Sequence, residues 1–146
     1  MSTYVIKLGG SILSRSKDTR IDFDYLDKLA DLLKSFIESG DKFIIVVGGG
    51  FLCREYQQLM KDNKSDIKNI NLDYIGIAAI NLNAEMIKSY LQEYTEEKVI
   101  KYSDINATGD ITINKGIQIC AANEPGHSSD VDSVIMAKRI NAKTIF

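Results

Sequence analysis

One histidine, one proline and two cysteines are spread through 146 residues, and each scarcity excludes something. A lone His127 rules out multi-histidine zinc sites and the HExxH proteases, which need two imidazoles on one helix face. Cys53 and Cys120 have no CxxC partner and no ligand cluster around them, so reduced thiols and a cytoplasmic setting are expected. Pro125 alone leaves no proline-rich linker to divide the chain. Long apolar runs are missing too. The stretches Phe43 to Val47 and Ile77 to Ile80 stop after four or five residues, where a bilayer span needs about 20. Tyr4 to Ile6 is too short for a signal segment and is interrupted by Lys7. Nor is there an excess of one charge. The 18 basic and 20 acidic residues give a net charge of -2, which argues against a nucleic-acid or membrane surface.

What is there is ordinary for a soluble globular protein, with 45% hydrophobic and 26% charged residues. The length suits one domain or part of a larger one, with a core that needs no disulfide or metal. Strands are expected at Tyr4 to Leu8 and Lys42 to Val47, with weaker candidates at Lys98 to Lys101, Gly116 to Ala121 and Lys143 to Phe146. Helical spacing joins Ile21, Tyr25, Leu29, Leu32 and Phe36, with Asp22 as N-cap and Gly40 just past the end. A shorter helix is expected over Leu52 to Met60. A long one carries Leu72, Ile75, Ala79, Ile80, Ala84, Ile87 and Leu91. Because Ile77, Leu82 and Met86 give that helix a second apolar side, burial on two sides is expected, one of them against another subunit. A last helix starts near Ser128 or Ser129 and carries Val131, Val134, Ile135 and Ala137. Buried strands alternating with amphipathic helices predict a mostly parallel sheet covered on both faces, a three-layer α/β/α sandwich.

In such sheets ligands bind at the carboxyl ends of the strands. The loops there are Gly9-Gly10-Ser11, Gly48-Gly49-Gly50 and Asn123 to Ser129. Successive glycines let backbone N–H groups turn toward an anion, and the following helix adds positive potential. Neither GxxxxGK[ST] nor GxGxxG is present. Arg54 has the geometry to fork onto phosphate oxygens, or else pairs with an acid as a solvated helix charge. Lys7, inside an apolar strand, needs a partner. Asp73 reads on spacing as an N-terminal dipole partner, and Asp130 as either that or an active-site acid. His127 reads as a loop residue making one hydrogen bond, with a catalytic acid–base role as the alternative. The cysteines read as core or pocket wall. Tyr56, Tyr90, Tyr94 and Tyr102 are placed by packing, or by stacking on a base.

Four segments together resemble the amino acid kinase superfamily and, within it, the archaeal-type UMP kinases. They are Val-Ile-Lys-Leu-Gly-Gly-Ser-Ile-Leu13, Ile-Val-Val-Gly-Gly-Gly-Phe-Leu-Cys-Arg-Glu-Tyr56, Asp-Tyr-Ile-Gly-Ile77 with Leu-Asn-Ala84, and Glu-Pro-Gly-His-Ser-Ser-Asp130. The resemblance implies ATP-dependent phosphorylation of UMP to UDP, with Mg2+ entering alongside ATP. It implies that Gly9, Gly10, Ser11, Gly50 and Arg54 lie toward ATP, with Lys7, Arg54 and Asp130 as the catalytic group. UMP would be met by Gly49, by Asp73 at the ribose, and by Asn123, Glu124, Pro125, Gly126, His127, Ser128 and Ser129. It also implies a homo-oligomer, dimer or hexamer, through the 72–94 helix.

Elementary chemistry agrees with that expectation. A nucleotide phosphate has a second pKa near ~6, so the acceptor is ionised without a base. The remaining task is holding two polyanions in line. Some residues depart from the family pattern. Ala121-Ala122 replaces two glycines, Asn81 replaces an arginine, and Ser128-Ser129 replaces Thr-Thr. Such kinases also continue into a further nucleotide-binding half. The chain is therefore expected to be an N-terminal, UMP-binding domain over 1–146 that binds UMP better than ATP and turns over little alone. The rival readings are a kinase for another small carboxylate or phosphate, and a non-catalytic binding or assembly module.

Overall fold

The computed structural model describes residues 2–105 and 109–146. Three parallel strands, β1 (Thr3–Leu8), β2 (Lys42–Val47) and β3 (Ile117–Cys120), form a sheet in the order β1-β2-β3. Val5 lies opposite Ile44, and Ile45 opposite Ile119. The helices are α1 (Gly10–Leu13), α2 (Phe23–Glu38), α3 (Gly50–Asn63), α4 (Asn69–Tyr90) and α5 (Ser129–Arg139), with a 3-10 turn at Tyr102–Asp104. None of the described helices is long and apolar enough to cross a membrane.

The two-residue period of a strand assigns the two faces of the sheet. Leu8, Phe43, Ile45, Val47, Ile117 and Ile119 pack against Leu26, Leu29 and Leu33 of α2 and Ala84 and Ile87 of α4. Val5, Ile44, Val46 and Cys120 pack instead against Met136 and Ala137 of α5, with Tyr102 and Ile105. Helices therefore cover both faces, and the α/β/α expectation holds. Lys7 is in phase with Val5, which points it toward α5.

The capping signals behave as read. The Asp22 carboxylate accepts the Tyr25 N–H at 3.0 Å, and Gly40 adopts a φ of 93° just past α2. Several expectations need correction. Residues 98–101 form no strand; Thr95 and Ile100 only bridge to Ile117 and Cys120. Residues 143–146 likewise form a single bridge, Val5 to Ile145, with hydrogen bonds running along β1 from Lys143 to Phe146. Both segments are edges of the same parallel sheet, too short and irregular to count as strands. The short α1 was not expected.

In α5 the anticipated apolar residues divide: Ala137 is buried and Ile135 packs against the core, but Val131 and Val134 do not. Val134 is 58% exposed and Val131 is exposed too, while Asp132, Ser133, Met136 and Ala137 face inward. Contact with Cys120 and the loop before the helix decides the rotation, which hydropathy alone does not encode. In α2, Leu32 and Phe36 are exposed beside the buried Leu26–Leu29–Leu33 stripe. In α4 only one side is buried; Ile70, Tyr74 and Leu82 lie exposed on the other, with Met86 at its margin.

Ile45 is fully buried in the middle strand, so Ile45→Ala should cost about 2–5 kcal/mol of stability by urea unfolding. A loss below about 1 kcal/mol would contradict this core assignment.

Candidate functional site

The loops after β1 and β2 touch backbone to backbone. A Cβ on Gly10 would overlap the Gly50 nitrogen, and one on Gly48 would sit 2.6 Å from the Gly10 nitrogen. Gly50 has a φ of 61°, and a Cβ there would lie 2.5 Å from the Gly10 oxygen. Only glycine fits this contact. Gly10, Ser11, Gly49 and Gly50 open α1 and α3, so their N–H groups have no intrahelical acceptor, and none is found for them among the described residues. Two of the facing carbonyls are occupied instead: Asn83, 1% exposed in mid-α4, donates to Gly48 O at 3.2 Å and Gly49 O at 3.0 Å. A trans peptide points its N–H away from its C=O. Asn83 thereby turns the Gly49 and Gly50 amides away from α4.

Charge gathers at the same rim. Lys7 pairs with Asp130 at 3.0 Å, which supplies the partner that its strand position demands. A Cβ on Gly9 would be 3.7 Å from the Lys7 ammonium, so that charge lies over the first loop. Arg54, in the second turn of α3, is exposed and has no ion pair or hydrogen bond among the described residues. The solvated-pair reading of Arg54 therefore fails. Its neighbour Glu55 is the residue that faces a cation, Arg20, at 3.9 Å.

The third loop arrives from the far end of the chain. Asp73 lies in the second turn of α4, not at its start, and accepts the Gly126 N–H at 3.0 Å. The dipole-partner reading gives way to a direct tether. Ser103 donates to Asn123 at 2.6 Å, and Ser128 caps α5 by accepting the Val131 N–H at 3.3 Å. Ser129 opens α5, while Glu124 accepts from Asn123 at 3.0 Å. Pro125 lies between these contacts. His127 sits 3.3 Å from the Tyr102 hydroxyl and 3.5 Å from Asp132. Ser103 and Asp132 escaped sequence reading, whereas Tyr102 packs in the core as read. The available signal for Asp132 was an acid in phase with Met136 on α5.

Among the departures, the Ala121 and Ala122 side chains are buried rather than lining an open loop. Asn81 donates to Ile77 O at 2.7 Å on its own helix. Tyr90 donates to Asp27 and packs on Phe23. No cluster of three metal-ligating side chains occurs among the described residues.

The chain matches the profile of the "Amino acid kinase family" over residues 2–146. It is 28% identical over 149 residues to the uridylate kinase of Aeropyrum pernix, covering 99% of this chain and 60% of that one. The solved uridylate kinase from Archaeoglobus fulgidus superposes with a TM-score of 0.77 at 27% identity, covering 99% of this chain and 61% of that one. The UMP kinase from Bacillus anthracis gives 0.75 at 23% identity over 99% and 63% of the two chains, a likeness of fold alone. The chain spans about three fifths of the length of the curated relatives it matches.

Burial pushes the Cys120 thiol up to about 12, with Asp132 and Asp104 adding to the effect, and burial also raises Cys53 against the pull of Arg54. Thiolate is the reactive form, so Cys120 stays an unreactive thiol at pH 8. Labelling with an aromatic disulfide at pH 8 should modify at most one thiol, slowly, in the native chain and both in urea. Two fast thiols in the native state would contradict the burial described here.

Proposed function

Because the chain belongs to the amino acid kinase family, we propose that it forms the acceptor side of a UMP kinase, holding UMP for phosphorylation by ATP to UDP. One observation carries the reading: the Asp73–Gly126 tether lays the 123–129 loop beside a rim of backbone amides that have no acceptor among the described residues. Amides, Lys7 and Arg54 make a site for phosphate oxygens. A carboxylate on the loop tether can exchange the Gly126 N–H for ribose hydroxyls. In this assignment Gly9, Gly10, Ser11 and Gly50 face ATP with Lys7, and Gly49 with residues 123–129 faces UMP. Arg54 lies between the two and neutralises charge on the transferred phosphoryl group.

The acceptor phosphate needs no base, and catalysis consists of alignment and charge neutralisation. Lys7 and Asp130 hold one another at the rim until substrate competes for the ammonium. The exposed Asp130 carboxylate suits Mg2+, which binds through one or two carboxylates together with substrate phosphates rather than in a protein cage. There it would neutralise phosphate charge. A cytoplasmic setting is in keeping with the two free thiols.

The exposed stripe of α4 supports self-association. Tyr74, Ala78, Leu82 and Met86 recur every fourth residue and lie exposed within about a third of the helix circumference. An antiparallel second copy with its two-fold axis level with Ile80 sets Tyr74 against Met86, and Ala78 against Leu82. That is the self-complementary pattern of an isologous dimer, with small Ala78 facing large Leu82.

Calorimetry of the 146-residue chain should detect UMP binding stronger than that of ATP, acetylglutamate or aspartate, and Asp73→Asn should weaken it about tenfold, equivalent to ~1.4 kcal/mol. Absence of UMP heat, or tighter binding of a carboxylate substrate, would overturn the reading. For the α4 face, light scattering at several concentrations should give a dimer or larger, and exposed Leu82→Glu a folded monomer. A monomeric parent chain would remove α4 as the interface.

A further inference from the structure

Asp132 is a buried acid for which the proposed reaction has no use. Its side chain is 2% exposed, and Oδ1 has no hydrogen-bond partner among the described residues. A helix-dipole role does not explain it, because Asp130 occupies the same turn in solvent. An uncompensated buried carboxylate is costly, and the group facing Oδ1 is the His127 imidazole, with Nδ1 3.5 Å away. Burial raises the Asp132 carboxyl and the imidazole opposes that rise.

The imidazole is held from a second side. Its Nδ1 is 3.3 Å from the Tyr102 hydroxyl, and the two rings stack with centroids 6.0 Å apart. Arg139 braces Tyr102 in turn, donating to Tyr102 O at 2.8 Å and Ile105 O at 2.9 Å with its guanidinium over the ring. Nδ1 therefore faces a carboxylate that only accepts and a hydroxyl that can accept, so the ring proton belongs on Nδ1. The directions of the two imidazole nitrogens diverge widely. With Nδ1 turned inward, Nε2 is on the ring's outer edge, in the loop that the proposed function places around UMP.

We propose that Asp132 is a positioning residue that fixes the His127 tautomer, so that Nε2 stays an unprotonated acceptor and takes a hydrogen bond from a hydroxyl or imide N–H of the bound nucleoside. A lone pair at Nε2 repels phosphate oxygens, so in its neutral form His127 reads the nucleoside and leaves the phosphate to the glycine amides, Lys7 and Arg54. The ligand half of this assignment rests on the UMP reading above; the tautomer half does not.

His127 is the only histidine, so 15N NMR of the imidazole at alkaline pH reports on it alone. The parent chain and Asp132→Asn, which keeps an acceptor oxygen, should both show Nε2 without a proton. Asp132→Val should move the proton to Nε2 and weaken UMP binding about tenfold, with Asp132→Asn weakened far less. A purely structural Asp132 would alter stability in both variants and leave the tautomer alone. A proton on Nε2 in the parent chain, or one tautomer in all three proteins, overturns the proposal. Unchanged UMP affinity in Asp132→Val overturns its ligand half. If the tautomers behave as expected and the parent chain does not bind UMP, the UMP reading falls while the hold of Asp132 on His127 stands.

Discussion

Two loops pressed together with no side chain between them are the constraint on which the site depends. β1 and β2 run parallel in register and end level, so their turns meet, and the meeting distance leaves no room for a Cβ at Gly10, Gly48 or Gly50. Backbone polar groups brought that close must be satisfied or exposed. Asn83 reaches from α4 to take the Gly48 and Gly49 carbonyls, which leaves the amides facing outward. A rim of donors without acceptors is chemically unfinished, and an anion completes it.

The remaining charges are distributed around that rim by long-range folding rather than by local sequence. Lys7 comes from β1, Arg54 from α3, Asp73 from α4 and Asp130 from α5. Each rides on an element whose packing fixes its direction: strand phase for Lys7, the rotation of α5 for Asp130, and the contact of α4 with the 123–129 loop for Asp73. Moving any one of these elements would scatter the site without touching a residue that meets ligand.

Much of this was legible in the sequence, for reasons that are themselves local. β1 and β2 are short apolar runs that end in glycine, α2 has an N-cap and a C′ glycine, and a lysine inside an apolar strand announces a partner. The rotation of α5 was not legible. Val131 and Val134 look like core residues beside Ile135, yet the helix turns them out and buries Asp132 and Ser133, with His127 facing Asp132 from the preceding loop. Edge segments 95–100 and 143–146 were ambiguous for a similar reason, since their pairing depends on a neighbouring strand rather than on their own residues. Tyr102 reads from the sequence as a packing residue, but its contact with His127 depends on a fold that brings together residues 25 apart.

Amide mapping tests the central claim directly. Titrating UMP into 15N-labelled chain should shift the backbone resonances of Gly49, Gly126 and Ser128 together, with Gly10 and Ser11 following when ATP is added. Shifts confined to the outer side of α4, or none at the glycine loops, would contradict a phosphate site built from these amides.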